Sequence, residues 1–202
     1  MISIINYNMG NIHSIKHALN YLGVENRYTN DVEVIKESSK IILPGVGSFR
    51  KAMNTLNESG MTEVIKQQVI ENKKPILGIC LGMQLMALSS DEDGETNGFG
   101  FIDEDIRKFE KIENVKIPHV GFNTVEYPNE SILFKGLGAN PDFYFTHSHC
   151  MNTRNEKNMT TGVCDHGDQF IASYEKENIF GVQFHPEKSQ KNGLNLLKNF
   201  IE

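Results

Sequence analysis

Apolar positions recur along this chain on two different periods. In the first half, short continuous apolar runs alternate with segments whose apolar residues stand three and four apart, the signatures of buried strands and amphipathic helices. Ile2 to Ile5 reads as a strand, and Asn11 caps a helix carrying Ile12, Ile15, Leu19 and Leu22 that ends at Gly23. Val24 to Tyr28 predicts a second strand and Val32 to Lys36 a short helix. Lys40 to Leu43 is a third strand ending at Pro44-Gly45-Val46-Gly47. Ser48 then caps a helix containing Phe49, Met53 and Leu56, and a further helix carries Val64, Ile65, Val69 and Ile70 into a strand from Pro75 to Ile79. Leu81 to Leu88 continues as a helix. This order predicts a parallel sheet covered by helices.

The second half has a different texture. Val120 to Val125, Asp142 to Thr146, Thr161 to Cys164, Phe170 to Tyr174 and Ile179 to Phe184 read as strands separated by polar turns, which predicts antiparallel additions to the sheet. A last helix, Gly193 to Ile201, places Leu194, Leu197 and Ile201 on one face. Between the halves, Ser89 to Gly98 is acidic and contains glycine, and predicts an exposed loop. There is no internal repeat and no low-complexity linker, so the expectation is one α/β domain over residues 1–202, with a mixed, mostly parallel central sheet.

Composition narrows the partners. A chain of 202 residues with 39% hydrophobic residues can fill a sizeable core. The formal net charge is −6 and the basic residues are scattered among acids, which argues against a nucleic-acid partner. The start, Met1-Ile2-Ser3-Ile4-Ile5-Asn6, lacks a basic leader region, and no apolar run approaches the ~18 residues of a membrane span. A soluble, cytoplasmic protein is expected. Cys80, Cys150 and Cys164 are odd in number and form no close pair, which suits a reducing compartment better than a disulfide framework.

Candidate chemistry centres on Gly78-Ile79-Cys80-Leu81-Gly82, where Cys80 falls on the turn between the Pro75 strand and the following helix. Flanking glycines permit a tight bend, and a thiol at a helix N-terminus is favoured in its nucleophilic form. Taken alone the pattern fits a structural, buried cysteine equally well. His185-Pro186-Glu187 shifts the balance: residues two apart on an extended segment share a face, so His185 can take the thiol proton while Glu187 fixes its tautomer. By itself that tripeptide would be a surface turn. An attacked carbonyl also needs oxyanion donors, for which the backbone of Leu81 and of the strand end at Val46 are candidates; a plain tight turn is the other reading of Pro44 to Gly47. The order Cys, His, Glu departs from that of α/β-hydrolases.

Together Gly78-Ile79-Cys80-Leu81-Gly82-Met83-Gln84, Pro44-Gly45-Val46-Gly47 and Phe184-His185-Pro186-Glu187 resemble the class I, triad-type glutamine amidotransferases. The resemblance implies a three-layer, flavodoxin-like fold and a glutaminase. Such an enzyme forms a γ-glutamyl thioester on Cys80, releases ammonia and hydrolyses the thioester. Tyr7 to Asn11, Ile117 to Asn123, Phe143 to Ser148, His185 to Ser189 and the terminal helix are similar to the glutaminase subunits of imidazole glycerol phosphate synthases, over essentially the full length. That likeness implies a heterodimer with a cyclase subunit, a (β/α)8 barrel that receives the ammonia in histidine biosynthesis. A chain of this length is expected to carry no acceptor domain of its own. It further implies that Gly45, Val46 and Gly47 form the oxyanion strand, that Gln84, Glu92, Ser148 and His149 hold L-glutamine, and that Asn11, Phe122, Tyr144 and Lys188 lie at the partner interface.

Several positions depart from the family pattern: Asn6, Asn8 and His13 near the N-terminus, Phe122 where tryptophan is usual and His149 where tyrosine is common. They spare the triad and touch the partner surface. A paralogous glutaminase supplying ammonia for amidation of a surface-sugar precursor therefore stays open. So do a stand-alone γ-glutamyl hydrolase and a non-catalytic binding subunit, though the intact Cys80, His185 and Glu187 disfavour the last. His147-Ser148-His149-Cys150 invites a zinc reading, but on a continuous strand Cys150 would face away from both histidines, so no metal and no cofactor is expected.

Overall fold

A computed structural model describes every residue except 11, 111, 112, 114 and 153–158. Its first half follows the alternation: β1 (Ile2–Ile5), α1 (Ile12–Tyr21), β2 (Asn26–Thr29), α2 (Val32–Glu37), β3 (Lys40–Leu43), α3 (Phe49–Glu58), α4 (Met61–Lys66), β4 (Ile76–Ile79) and α5 (Leu81–Leu85). The second half adds β5 (Ser89–Ser90), β6 (Thr96–Asn97), β7 (Asp105–Lys108), β8 (His119–Thr124), β9 (Asp142–His147), β10 (His149–Met151), β11 (Thr160–Asp165), β12 (Gln169–Lys176), β13 (Ile179–Val182) and α6 (Gln190–Ile201).

Among the described residues the main sheet runs β2-β1-β3-β4-β13-β12-β10-β7-β5-β6, with β11 on β12. β2, β1, β3, β4 and β13 are parallel, and β12 joins β13 antiparallel. Because strand side chains alternate, Ile41 and Leu43 enter one core with α3 and α4, while Ile42 enters the other with α1 and α6. The result is three layers. On α1 the buried positions Ile15, Ala18 and Leu19 form one stripe, and Ser48 caps α3 by accepting from the Lys51 N–H. Asn11, expected as the α1 cap, lies outside the described residues.

Several boundaries moved for local reasons. Val24 does not open β2, because its N–H closes α1 on the Leu19 carbonyl. The helix expected through Ile70 changes to a π-helical turn at Gln67–Glu71. The helix expected through Leu88 stops at Leu85, since residues 98–102 return to bond the carbonyls of Leu85, Met86, Ala87 and Leu88. Ser89 to Gly98 is therefore not a wholly exposed loop: Ser89 and Ser90 are buried and β5–β6 extends the sheet edge. β8 and β9 were expected as additions to the central sheet but pair only with each other, as a separate antiparallel ribbon. No helix among the described residues is long and apolar enough to cross a membrane.

Candidate active site

Cys80 sits between β4 and α5 with φ +54° and ψ −111°, a conformation that costs a non-glycine residue about 1–3 kcal/mol. Its neighbours hold it there. The Cys80 N–H donates to the Val182 carbonyl at 2.8 Å, and its carbonyl accepts from Gln84 N–H. A Cβ on Gly82 would collide with the Leu43 carbonyl, so the elbow can lie this close to β3 only with glycine there.

His185 follows β13 and is fixed through its backbone. Its N–H donates to the Tyr144 carbonyl at 2.8 Å, and its carbonyl accepts from Ser189 Oγ, which in turn accepts from Tyr144 N–H. The expected extended segment is instead a 3-10 turn at Pro186–Lys188. That turn folds Glu187 back, placing its Oε1 2.8 Å from His185 Nδ1 with both side chains buried. Nε2 of His185 and Oε2 of Glu187 are buried without a hydrogen-bond partner. Burial pulls the His185 pKa down, but the nearby Cys80 and the hydrogen-bonded Glu187 carboxylate outweigh it, and the imidazole is raised to about 10. The charged form of the imidazole is thus favoured by the carboxylate on one nitrogen and by the nearby candidate nucleophile.

In front of Cys80 opens a pocket of about 620 Å³. Its wall includes Val46, Gly47, Leu81, Gln84, Glu92, Ser148 and His149. Gly45 is not on that wall; a Cβ there would strike the Tyr7 hydroxyl and Leu81. Glu92 Oε2 accepts from Phe49 N–H at 2.8 Å and Oε1 lies 3.8 Å from His149 Nδ1. Phe122, Tyr144 and Lys188 gather elsewhere: Phe122 and Tyr144 are cross-strand partners with rings 5.6 Å apart, and the Lys188 ammonium lies 5.5 Å from the Tyr144 ring. Phe122 and neighbouring Val120 are exposed.

His147 and His149 do not share a strand face, contrary to expectation, because the chain leaves β9 at Ser148 and enters β10 in the other sheet. Among the described residues no group of three or more His, Cys, Asp or Glu could hold a metal ion. His147 instead belongs to a neutral relay. The His149 carbonyl can only accept, so His147 Nδ1 donates to it at 2.8 Å, leaving Nε2 to accept from His119 Nδ1 at 3.1 Å. His119 Nε2 then accepts from Asn123 at 3.3 Å. Burial lowers His147 to about 3 and, together with the nearby His166, His119 to about 4. Burial likewise raises the Cys150 and Cys164 thiols to about 12, which favours their weakly nucleophilic protonated form.

Sequence reasoning missed four contributors: Tyr7, Gln183, Ser189 and the His119–His147 pair. Tyr7 OH donates to the Pro44 carbonyl at 2.5 Å, anchoring the start of the Pro44 to Gly47 segment. Its phenol is raised by burial first and then by the charge of Cys80, so it remains a donor. No local sequence pattern marks Gln183; only the register in which Ile79 pairs with Val182 brings the next residues on the two strands, Cys80 and Gln183, together.

A family model for class I glutamine amidotransferases matches residues 3–202. The chain is 44% identical to imidazole glycerol phosphate synthase subunit HisH 1 of Campylobacter jejuni, covering 100% of this chain and 99% of that one. It is also 44% identical to subunit HisH 2 of Methanococcus maripaludis, with the same coverage. A crystal structure described as a glutamine amidotransferase superposes with a TM-score of 0.77 at 18% identity, over 100% of both chains, which carries the fold alone. With the elbow, the buried histidine–glutamate pair and a match along nearly its whole length, this chain belongs to the class I glutamine amidotransferase family.

Proposed function

We propose that this protein is the glutaminase subunit of an imidazole glycerol phosphate synthase, hydrolysing L-glutamine and passing ammonia to a separate cyclase subunit in histidine biosynthesis. The observation that carries the reading is the assembly around one pocket: a strained Cys80, an imidazole raised to about 10 between thiol and carboxylate, and polar groups able to grip an amino acid. Cys80 Sγ attacks the carboxamide carbon, and His185 delivers its proton to the departing nitrogen as the C–N bond breaks. Water, deprotonated by His185, then cleaves the thioester to glutamate. The oxyanion is met by backbone N–H groups of Leu81 and Val46. Gln84 has both amide hydrogens engaged within the protein, leaving its Oε1 to accept from the substrate; Glu92 Oε1 suits the α-ammonium, and Ser148 and His149 border the same end.

The interface in this reading is the face of exposed Phe122 with half-buried Tyr144 and Lys188, joined by Asn11, which lies outside the described residues, and it docks on a (β/α)8 barrel; no cofactor is required. The ribbon that bears Tyr144 also holds the His185 backbone, so partner contact there is mechanically joined to the triad. A second destination for the ammonia, a surface-sugar precursor, is favoured by one observation: the similar proteins are named as numbered copies, HisH 1 and HisH 2.

The test is to measure glutamate and ammonia from the purified chain with glutamine, alone and with a candidate cyclase subunit. Turnover that rises when the cyclase and its ligand are added supports the histidine reading; a sugar-modifying partner in its place supports the second. Undiminished turnover by Cys80→Ala overturns both.

A further inference from the structure

Gln183 is fully buried, and the roles assigned above leave it without a function. It lies on the segment leaving β13, whose parallel register with β4 sets it next to Cys80. Its backbone N–H is engaged with the Ala172 carbonyl at 2.8 Å, so the residue cannot drift from the sheet. What distinguishes it is the direction of its amide.

An amide's oxygen and nitrogen ends are normally interchangeable in shape, and only hydrogen bonding tells them apart. Here an invariant acceptor decides. The backbone carbonyl of His149 can only accept, so the end of Gln84 that faces it at 3.0 Å is Nε2. That same nitrogen reaches Gln183 at 2.8 Å, and since it donates there too, Gln183 must present Oε1 to it. The other end of Gln183, the Nε2 donor, is then aimed at Cys80 Sγ, 3.8 Å away. Direction is thus passed from one carbonyl through two side chains to the sulfur.

We propose that Gln183 is a catalytic residue that donates a hydrogen bond to the Cys80 sulfur, stabilising its anionic form. The proposal rests on the reading of Cys80 as the nucleophile. A donor to a charged acceptor in a buried site is stronger than one to a neutral group. The same relay ties the sulfur to the His149 carbonyl at the glutamine pocket, so the wall that meets substrate and the atom that attacks it share one hydrogen-bonded chain.

Alkylation of the full-length protein by iodoacetamide tests this without glutamine or a partner. The thiolate displaces iodide, and peptide mapping separates Cys80 from Cys150 and Cys164. Gln183→Met keeps the length and removes the donor; alkylation of Cys80 at neutral pH is expected to slow about tenfold, with kcat falling alongside. Gln183→Glu still accepts from Gln84 but, once ionised, offers the sulfur no N–H, and should slow alkylation at least as much at a pH where the carboxylate is charged. It decides the matter if the Met variant does not fold. Unchanged Cys80 alkylation in a folded variant, with only KM altered, overturns the proposal and leaves Gln183 a support for Gln84. If Cys80 of the unaltered protein reacts no faster than Cys150 and Cys164, the nucleophile reading itself fails, an outcome distinct from the first.

Discussion

His185 and His147 are both buried, and both are bonded through Nδ1 at 2.8 Å, yet one is raised to about 10 and the other lowered to about 3. Burial acts alike on both, disfavouring the charged ring. The neighbours differ. His185 stands between the Glu187 carboxylate and Cys80, each of which gains from an imidazolium. His147 stands between a carbonyl and His119, on which His166 stacks at 4.0 Å, so a second or third positive ring would be repelled. Depth in the protein sets how much neighbours matter; their charge sets the sign. The first setting favours a charged ring, as the proposed proton transfer needs, and the second holds a chain of neutral groups in one direction.

Making the first site resemble the second should have the largest consequence. Glu187→Gln removes the anion while keeping the shape, and kcat for glutamine is expected to fall about 10³–10⁴-fold with KM little changed, read by steady-state glutaminase assay. The pH dependence of stability separates the two sites next. His185 is raised in the folded protein, so its stabilisation is complete below the ordinary histidine value and disappears as pH climbs through about 10. His119 and His147 are lowered, so theirs is complete above the ordinary value and disappears as pH falls towards about 4 and about 3. Urea midpoints across pH should show both limbs, and Glu187→Gln should flatten only the alkaline one.

Smaller effects sharpen the contrast. His119→Phe preserves a ring beside Phe145 and His166 but leaves His147 Nε2 without its donor; a loss of about 1–3 kcal/mol and a shallower acid limb are expected by denaturant titration. The weakest change should be Tyr7→Phe, which deletes only the hydroxyl on the Pro44 carbonyl. It should cost ~1 kcal/mol of stability and lower kcat severalfold without altering KM, the outcome expected if Pro44 to Gly47 carries the proposed oxyanion donor and Tyr7 stands clear of the proposed glutamine site.

Legibility along the chain followed the range of the interactions. β1, α1, β3, α3 and β4 were readable because each is coded by its own periodicity and caps, and the Cys80 elbow because strand, glycine and helix adjoin in sequence. β5, β6, β7 and β10 were not, being two to four residues long and formed only where a distant edge accepts them. The acidic stretch after α5 looked like a solvent loop since nothing local shows that residues 98–102 return to cover Leu85 to Leu88. His147 and His149 looked like one strand because a change of sheet at Ser148 leaves no mark in a short polar run.

The sequence alone determined the layered α/β plan and the residue types of a thiol-based glutaminase, since alternation, glycine spacing and the Cys80 and His185-Pro186-Glu187 motifs are local properties. Only the tertiary structure decided which groups face one another. Glu187 meets His185 through a 3-10 turn, Tyr7 meets Pro44 from the segment after β1, and one carbonyl at His149 sets the direction of both the Gln84–Gln183 and the His147–His119 relays. Hydrogen-bond direction and the sign of a pKa shift depend on atoms a few ångströms apart in space, and distance along the chain carries no trace of them.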